Sequence, residues 1–170
     1  MNYKNPLLAT DIIIQYEQKE KSGIILIKRK NPPYGLAIPG GFAEYGLSLE
    51  DNARKEAKEE TGLDIIIKKD QQPFLVCSNP ERDPRTHVVS VVYVAKGKGF
   101  LRAGDDAKDA MLYSLDEIRA LSPDAFAFDH YAILKAYLDF LEFDRDSKRE
   151  EWDELDVHKK YEQLRKRCLP

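Results

Sequence analysis

The stretch from Gly40 to Leu63, GGFAEYGLSLEDNARKEAKEETGL, constrains this chain more than any other. A glycine pair opens it. Ser48, with Asp51 three residues later, is a helix-start signature of the capping-box kind, and Gly62 stands where a C-terminal cap glycine belongs. The spacing predicts loop, helix, loop. Within the helix, Glu56, Glu59 and Glu60 fall at i, i+3 and i+4, so three carboxylates crowd one face and repel one another. A bound cation removes the conflict. Oxygen-only ligands from a helix, with room left for water and phosphate oxygens, suit Mg²⁺ or Mn²⁺ better than zinc. The plainer alternative is a solvated charged helix face, the usual fate of such a run. The complete spaced pattern, glycine elements included, weighs against it.

Composition bounds the rest. At 170 residues the chain fits one domain able to bury a single core. A hydrophobic share of 42%, a charged share of 34% and a net charge of −3 are those of an ordinary globular protein, and they argue against generic nucleic-acid binding. No apolar run reaches membrane-spanning length and the start MNYKNP lacks the apolar region of a signal peptide, so the expected location is cytoplasmic with no membrane partner. Cys77 and Cys168 are too few to announce a disulfide framework or a zinc site and read as reduced thiols.

In chain order, ATDIIIQYE (9–17) and IILIKR (24–29) are β-branched segments split by the polar QKEKSG, and read as two strands joined by a turn. Pro32 and Pro33 bar a helix, and Leu36 to Ile38 suggests a short extended piece that aims the glycine loop. DIIIKK, PFLVCS and HVVSVVYVAKG read as further strands. The last is a continuous β-branched run of the kind buried on both faces, so it is expected at the centre of the sheet. The loop before it, Glu81 to His87, carries Arg82 and Arg85. These suit bidentate capture of phosphate or carboxylate oxygens, or else form surface ion pairs with Glu81 and Asp83. Asp105 and Asp106 fall in a loop where either reaches the carboxylate site or caps the next element. His87 and His130 are weak candidates for a general base. MLYSLDEIRAL suggests a strand entering a short helix, and residues 125–141 give an amphipathic helix with an aromatic stripe, expected to pack on the sheet. From Glu142 onward mixed charges suggest a helical extension, solvated or docked on a partner subunit.

The Gly40–Leu63 stretch resembles the signature box of the Nudix hydrolases, which cleave nucleoside diphosphates linked to another group. Gly41 is then the opening glycine, Glu56, Glu59 and Glu60 the glutamate triplet, and Gly62-Leu63 the close. Two positions depart: Leu47 stands where the pattern has Glu, and Lys55 where it has Arg. A Glu and an Arg there would brace loop against helix. Losing both leaves no orphan charge, and Lys55 keeps the positive charge without the planar fork of guanidinium, so a working site with a less rigid brace is expected. SNPERDPRTHVVSVVY, AGDDAKDA (103–110) and AFAFDHYAIL (125–134) resemble the ADP-ribose pyrophosphatase group, and the likeness runs from about residue 7 to 141.

The resemblance implies an α/β/α sandwich with a mixed β-sheet over residues 1–141, followed by a charged extension over 142–170. It implies Mg²⁺ or Mn²⁺ held by Glu56, Glu59, Glu60 and a carbonyl of Gly40. Water would attack the diphosphate bridge, and ADP-ribose would give AMP and ribose 5-phosphate. Glu59, Glu60, Asp105 and Asp106 are the candidates for the catalytic carboxylate. Arg82 or Arg85 would hold the diphosphate or the ribose phosphate end. Tyr34 stacks on adenine or closes the core. The group also implies a homodimer. A second enzymatic reading keeps the chemistry with a nucleoside triphosphate, a dinucleoside polyphosphate or NADH as substrate. A third is an ADP-ribose sensor without turnover, which Leu47 and Lys55 keep open, while the segment after residue 141, short and insufficiently basic for an attached DNA-binding domain, disfavours it.

Overall fold

The computed structural model describes residues 4–67, 72–102 and 107–147. The expectations for Asp105, Asp106, Cys168 and most of the 142–170 extension lie outside these residues. The chain divides into two compact units between Asp129 and His130.

The first unit is built on a mixed sheet. Its strands are β1 (Leu7–Gln18), β2 (Lys21–Arg29), β3 (Leu36–Ala37), β4 (Gly40–Phe42), β5 (Asp64–Ile66), β6 (Leu75–Cys77), β7 (Val88–Lys98) and β8 (Ala107–Tyr113). The main path runs β3-β2-β1-β7-β5, with β4 added on β1, β6 on β7 and β8 on β2. β1 and β7 lie parallel in unbroken register from Leu7 opposite Val88 to Gln15 opposite Lys96, while β2 and β4 meet β1 antiparallel. Ile12, Ile13 and Ile14 are fully buried in succession, which requires cover on both faces of the sheet and explains the uninterrupted β-branched run. The long β7 is an interior strand, flanked by β1 on one side and by β5 and β6 on the other, while the middle of the sheet, expected for β7, is held by β1.

Helix α1 (Leu49–Thr61) covers one face. Ser48 caps its start by accepting from the Asp51 amide, and Gly62, left-handed at φ 71°, ends it by donating its amide to the Lys58 carbonyl. Only glycine takes that conformation without a steric penalty. Ala53 and Ala57, one turn apart and fully buried, join Ile12, Ile14, Ile25, Leu63 and Tyr93 in the core. Two methyl groups in the contact row let the helix lie close to the strands. A larger side chain there would overpack by about 1–3 kcal/mol. Asn52, also fully buried, donates from Nδ2 to Thr10 Oγ1 at 2.9 Å, which ties α1 to β1 by a polar contact inside the core. Helix α2 (Leu115–Ala120) follows β8 with a complete capping box between Ser114 and Glu117.

In the second unit α3 spans His130–Ser147. It begins later than the helix expected from Ala125, for a local reason. Pro123–Ala125 form a single 3₁₀ turn and Phe128 is left-handed at φ 57°, so an α-helix cannot propagate back through them. Phe128 therefore leaves the helical stripe and belongs to the first unit. Ile133, Leu134, Tyr137 and Leu138 keep the predicted one-sided helical spacing within α3.

Candidate active site

The glycine pair meets two of the three glutamates of α1, Glu56 and Glu60. Glu60, 9% exposed, accepts a hydrogen bond from the Gly40 amide at Oε2, 2.9 Å away. Glu56 lies so close to Gly41 that a Cβ on that glycine would stand 2.5 Å from the carboxylate carbon. A side chain at that position would displace the Glu56 carboxylate. Burial pushes the Glu60 carboxyl up to about 8; the Gly40 amide and Arg29 oppose the rise, while the charges of Glu56 and Asp11 add to it. A buried carboxylate beside a second one, with a backbone amide holding one oxygen, is an arrangement that a divalent cation completes, and its oxygen-only donors fit Mg²⁺ or Mn²⁺.

Glu59 is engaged differently. Its Oε2 accepts from Lys55 Nζ at 3.2 Å, and the same ammonium reaches Glu44 Oε1 at 2.6 Å. Among the described residues no three acidic, histidine or cysteine side chains already stand as a metal cage. A brace between loop and helix is present despite the Leu47 and Lys55 departures, with Glu44 rather than residue 47 supplying its carboxylate to Lys55. Glu44 follows the glycine pair by only a few residues, a signal available in the sequence.

The two arginines of the loop before β7 separate. Arg82, 8% exposed, forms a two-pronged pair with Asp129, Nε to Oδ2 at 2.9 Å and Nη2 to Oδ1 at 2.7 Å. Its Nη2 also lies 3.3 Å from Asp11 Oδ2. Burial lowers the tendency of its guanidinium to hold a proton, but Asp129 and Asp11 outweigh it and raise the pKa. Asp11 in turn accepts from the buried Ser90 hydroxyl. Arg82 thus ties β1, the loop and the turn before α3 together. Arg85 forms a similar fork on Asp83, at 2.9 and 2.7 Å, but its side chain is 43% exposed while that of Asp83 is 3% exposed. Arg85 is the arginine with a face open to a ligand.

A third arginine, Arg29, is absent from the expected set. It donates from Nε to the Pro33 carbonyl at 2.8 Å, and its guanidinium lies 4.8 Å from the centre of the Phe128 ring. Arg85 lies 5.2 Å from the same centre and 5.7 Å from that of Phe42. Burial, then repulsion from Arg85, lowers the Arg29 pKa, against the attraction of Glu60, Asp83 and Asp11. Two guanidinium groups on one aromatic ring, near the buried Glu60 and the partly buried Glu56, give the site basic and acidic parts, as a phosphate ester bound with a cation requires. The only sequence signal for Arg29 is its place at the end of a strand leading to the glycine loop. For Asp11 it is a lone carboxylate in an apolar run. Tyr34 is 69% exposed, so it does not close the core. His87 meets the Ser78 carbonyl at 3.3 Å.

The NUDIX domain matches residues 6–137, and on that match the chain belongs to the Nudix hydrolase superfamily. Among its relatives, an ADP-ribose pyrophosphatase of Methanocaldococcus jannaschii is 44% identical over 139 residues, 80% of this chain and 75% of that protein. The crystal structure of a MutT/nudix family protein from Enterococcus faecalis is similar at a TM-score of 0.67 and 32% identity, over 84% of this chain. This chain spans 64% of that one. The NUDIX domain of Shewanella oneidensis NrtR, crystallised with ADP ribose, shares the fold at a TM-score of 0.68 and 22% identity, over 82% of this chain and 90% of that one.

Proposed function

We propose that this protein hydrolyses ADP-ribose to AMP and ribose 5-phosphate with Mg²⁺ or Mn²⁺. The observation that carries the reading is the buried Glu60, held by the Gly40 amide beside Glu56 and facing the positive charge of Arg29. The 44% identity to an ADP-ribose pyrophosphatase supports this choice among Nudix substrates. Glu56, Glu59, Glu60 and the Gly40 carbonyl are the residues that would hold the cation. When bound, it supplies positive charge to the phosphoryl group in transfer and acidifies water. Arg85, with Arg29 beside it, binds and orients the diphosphate through guanidinium forks. Phe128 lies against both guanidinium groups and Phe42 against that of Arg85. Arg82 holds the loop that carries Arg85. Tyr34, exposed, offers a ring for adenine. A cytoplasmic homodimer completes the reading, and light scattering of the purified protein tests its assembly.

The experiment is release of AMP from ADP-ribose with and without Mg²⁺, beside NADH, a dinucleoside tetraphosphate and a deoxynucleoside triphosphate. Selective, metal-dependent turnover of ADP-ribose is expected. Preference for another member overturns the substrate and keeps the chemistry, and binding without turnover favours a sensor. Glu60→Gln, with the fold intact, should lose turnover by orders of magnitude. Near-wild-type turnover in that variant sinks the metal assignment.

A further inference from the structure

From the ion pairs that join Glu44, Lys55 and Glu59 we infer that Glu44 is a positioning residue for the cation site: by engaging Lys55 it leaves the Glu59 carboxylate available to a divalent ion. The inference rests on the reading of Glu59 as a cation ligand. Leu47 is 41% exposed and has no carboxylate to offer. Glu44 is placed to act in its stead because its main chain is pinned. The Glu44 amide donates to Asn52 Oδ1 at 3.0 Å, and Asn52 is fully buried and bonded to Thr10 on β1. From that fixed point its carboxylate reaches Lys55 Nζ at 2.6 Å, whereas Glu59, one helical turn beyond Lys55, lies at 3.2 Å. The ammonium is shared, and unequally.

An ammonium has three donors and serves two carboxylates at once. With Glu44 present, its closer contact goes to the loop and Glu59 is held by the longer one. Without Glu44, Glu59 is left as the sole partner in this chain of pairs, and the lysine competes directly with the cation for it. All three side chains are at least one-third exposed, so these pairs contribute little to folding. Their consequence falls on ligand availability, as is general for residues that orient metal ligands without touching the metal.

The test is Mn²⁺ titration of the full-length protein, followed by the electron paramagnetic resonance signal of free Mn²⁺, with thermal melting in parallel. Glu44→Gln is expected to weaken Mn²⁺ binding about 10-fold with an unchanged melting temperature. Removing the competitor should rescue it: Glu44→Gln in a Lys55→Met background should bind Mn²⁺ as tightly as Lys55→Met alone. Wild-type affinity in Glu44→Gln overturns the inference, as does an equal loss in both backgrounds. A wild-type protein that takes up no Mn²⁺ overturns the cation-ligand reading itself, and the inference with it.

Discussion

Replacing Arg82 by alanine leaves Asp11 and Asp129 facing a buried gap. Uncompensated burial of this kind destabilises by about 3–5 kcal/mol, and urea denaturation should register most of it. Arg85→Lys has a different expected outcome. Lysine keeps a cation beside the buried Asp83, so stability should stay close to wild type, while loss of the planar fork raises KM for the diphosphate substrate about 10-fold. A large stability loss in Arg85→Lys, or none in Arg82→Ala, would reverse these roles. The sequence groups the two because they share a loop and a side-chain type. What separates them is partners distant in sequence: Asp129 lies 47 residues and Asp11 71 residues from Arg82, whereas Asp83 is two from Arg85. Glu60 is legible for the opposite reason, since its glycine loop and helix are contiguous in the chain.

At the scale of elements, α1 and α2 are readable because their caps are local. Ser48 and Gly62 act within a turn of the helix they bound, and so do Ser114 and Glu117. The turn before α3 is not, because no sequence rule places Phe128 at positive φ. The α2 cap has a pH signature. Lys21, then the Ser114 amide, holds the Glu117 carboxyl down at about 2, against 4.5 ordinarily. A depressed carboxyl contributes stability that is complete above about pH 4.5 and lost as pH falls through about 2, because below both values folded and unfolded chains are equally protonated. Glu117→Gln should therefore be less stable than wild type at neutral pH, with the gap closing towards pH 2 and narrowing in high salt. Denaturant melts across that range check it, and a gap that persists at pH 2 counts against the assignment.

For the whole molecule, strand existence and the local β1–β2 hairpin are legible, but long-range strand partnership is not. β-branched runs mark β1 and β7 individually, while their parallel alignment depends on everything between them. The glutamates read as cation ligands lie within that span, between the end of β1 and the start of β7, and a cation that binds only the folded chain stabilises it. Mn²⁺ at 100 times its dissociation constant should stabilise the metal-free protein by about 2.7 kcal/mol, visible as a raised unfolding midpoint. NaCl at matched ionic strength should not reproduce the shift; if it does, the effect is general screening. The β1–β7 register also has a meaning during synthesis. At about 5–20 residues per second, β1 leaves the ribosome on the order of ten seconds before its parallel neighbour is complete. Over that interval the nascent chain carries an isoleucine-rich edge paired on one side alone, the kind of surface that chaperones at the exit tunnel cover.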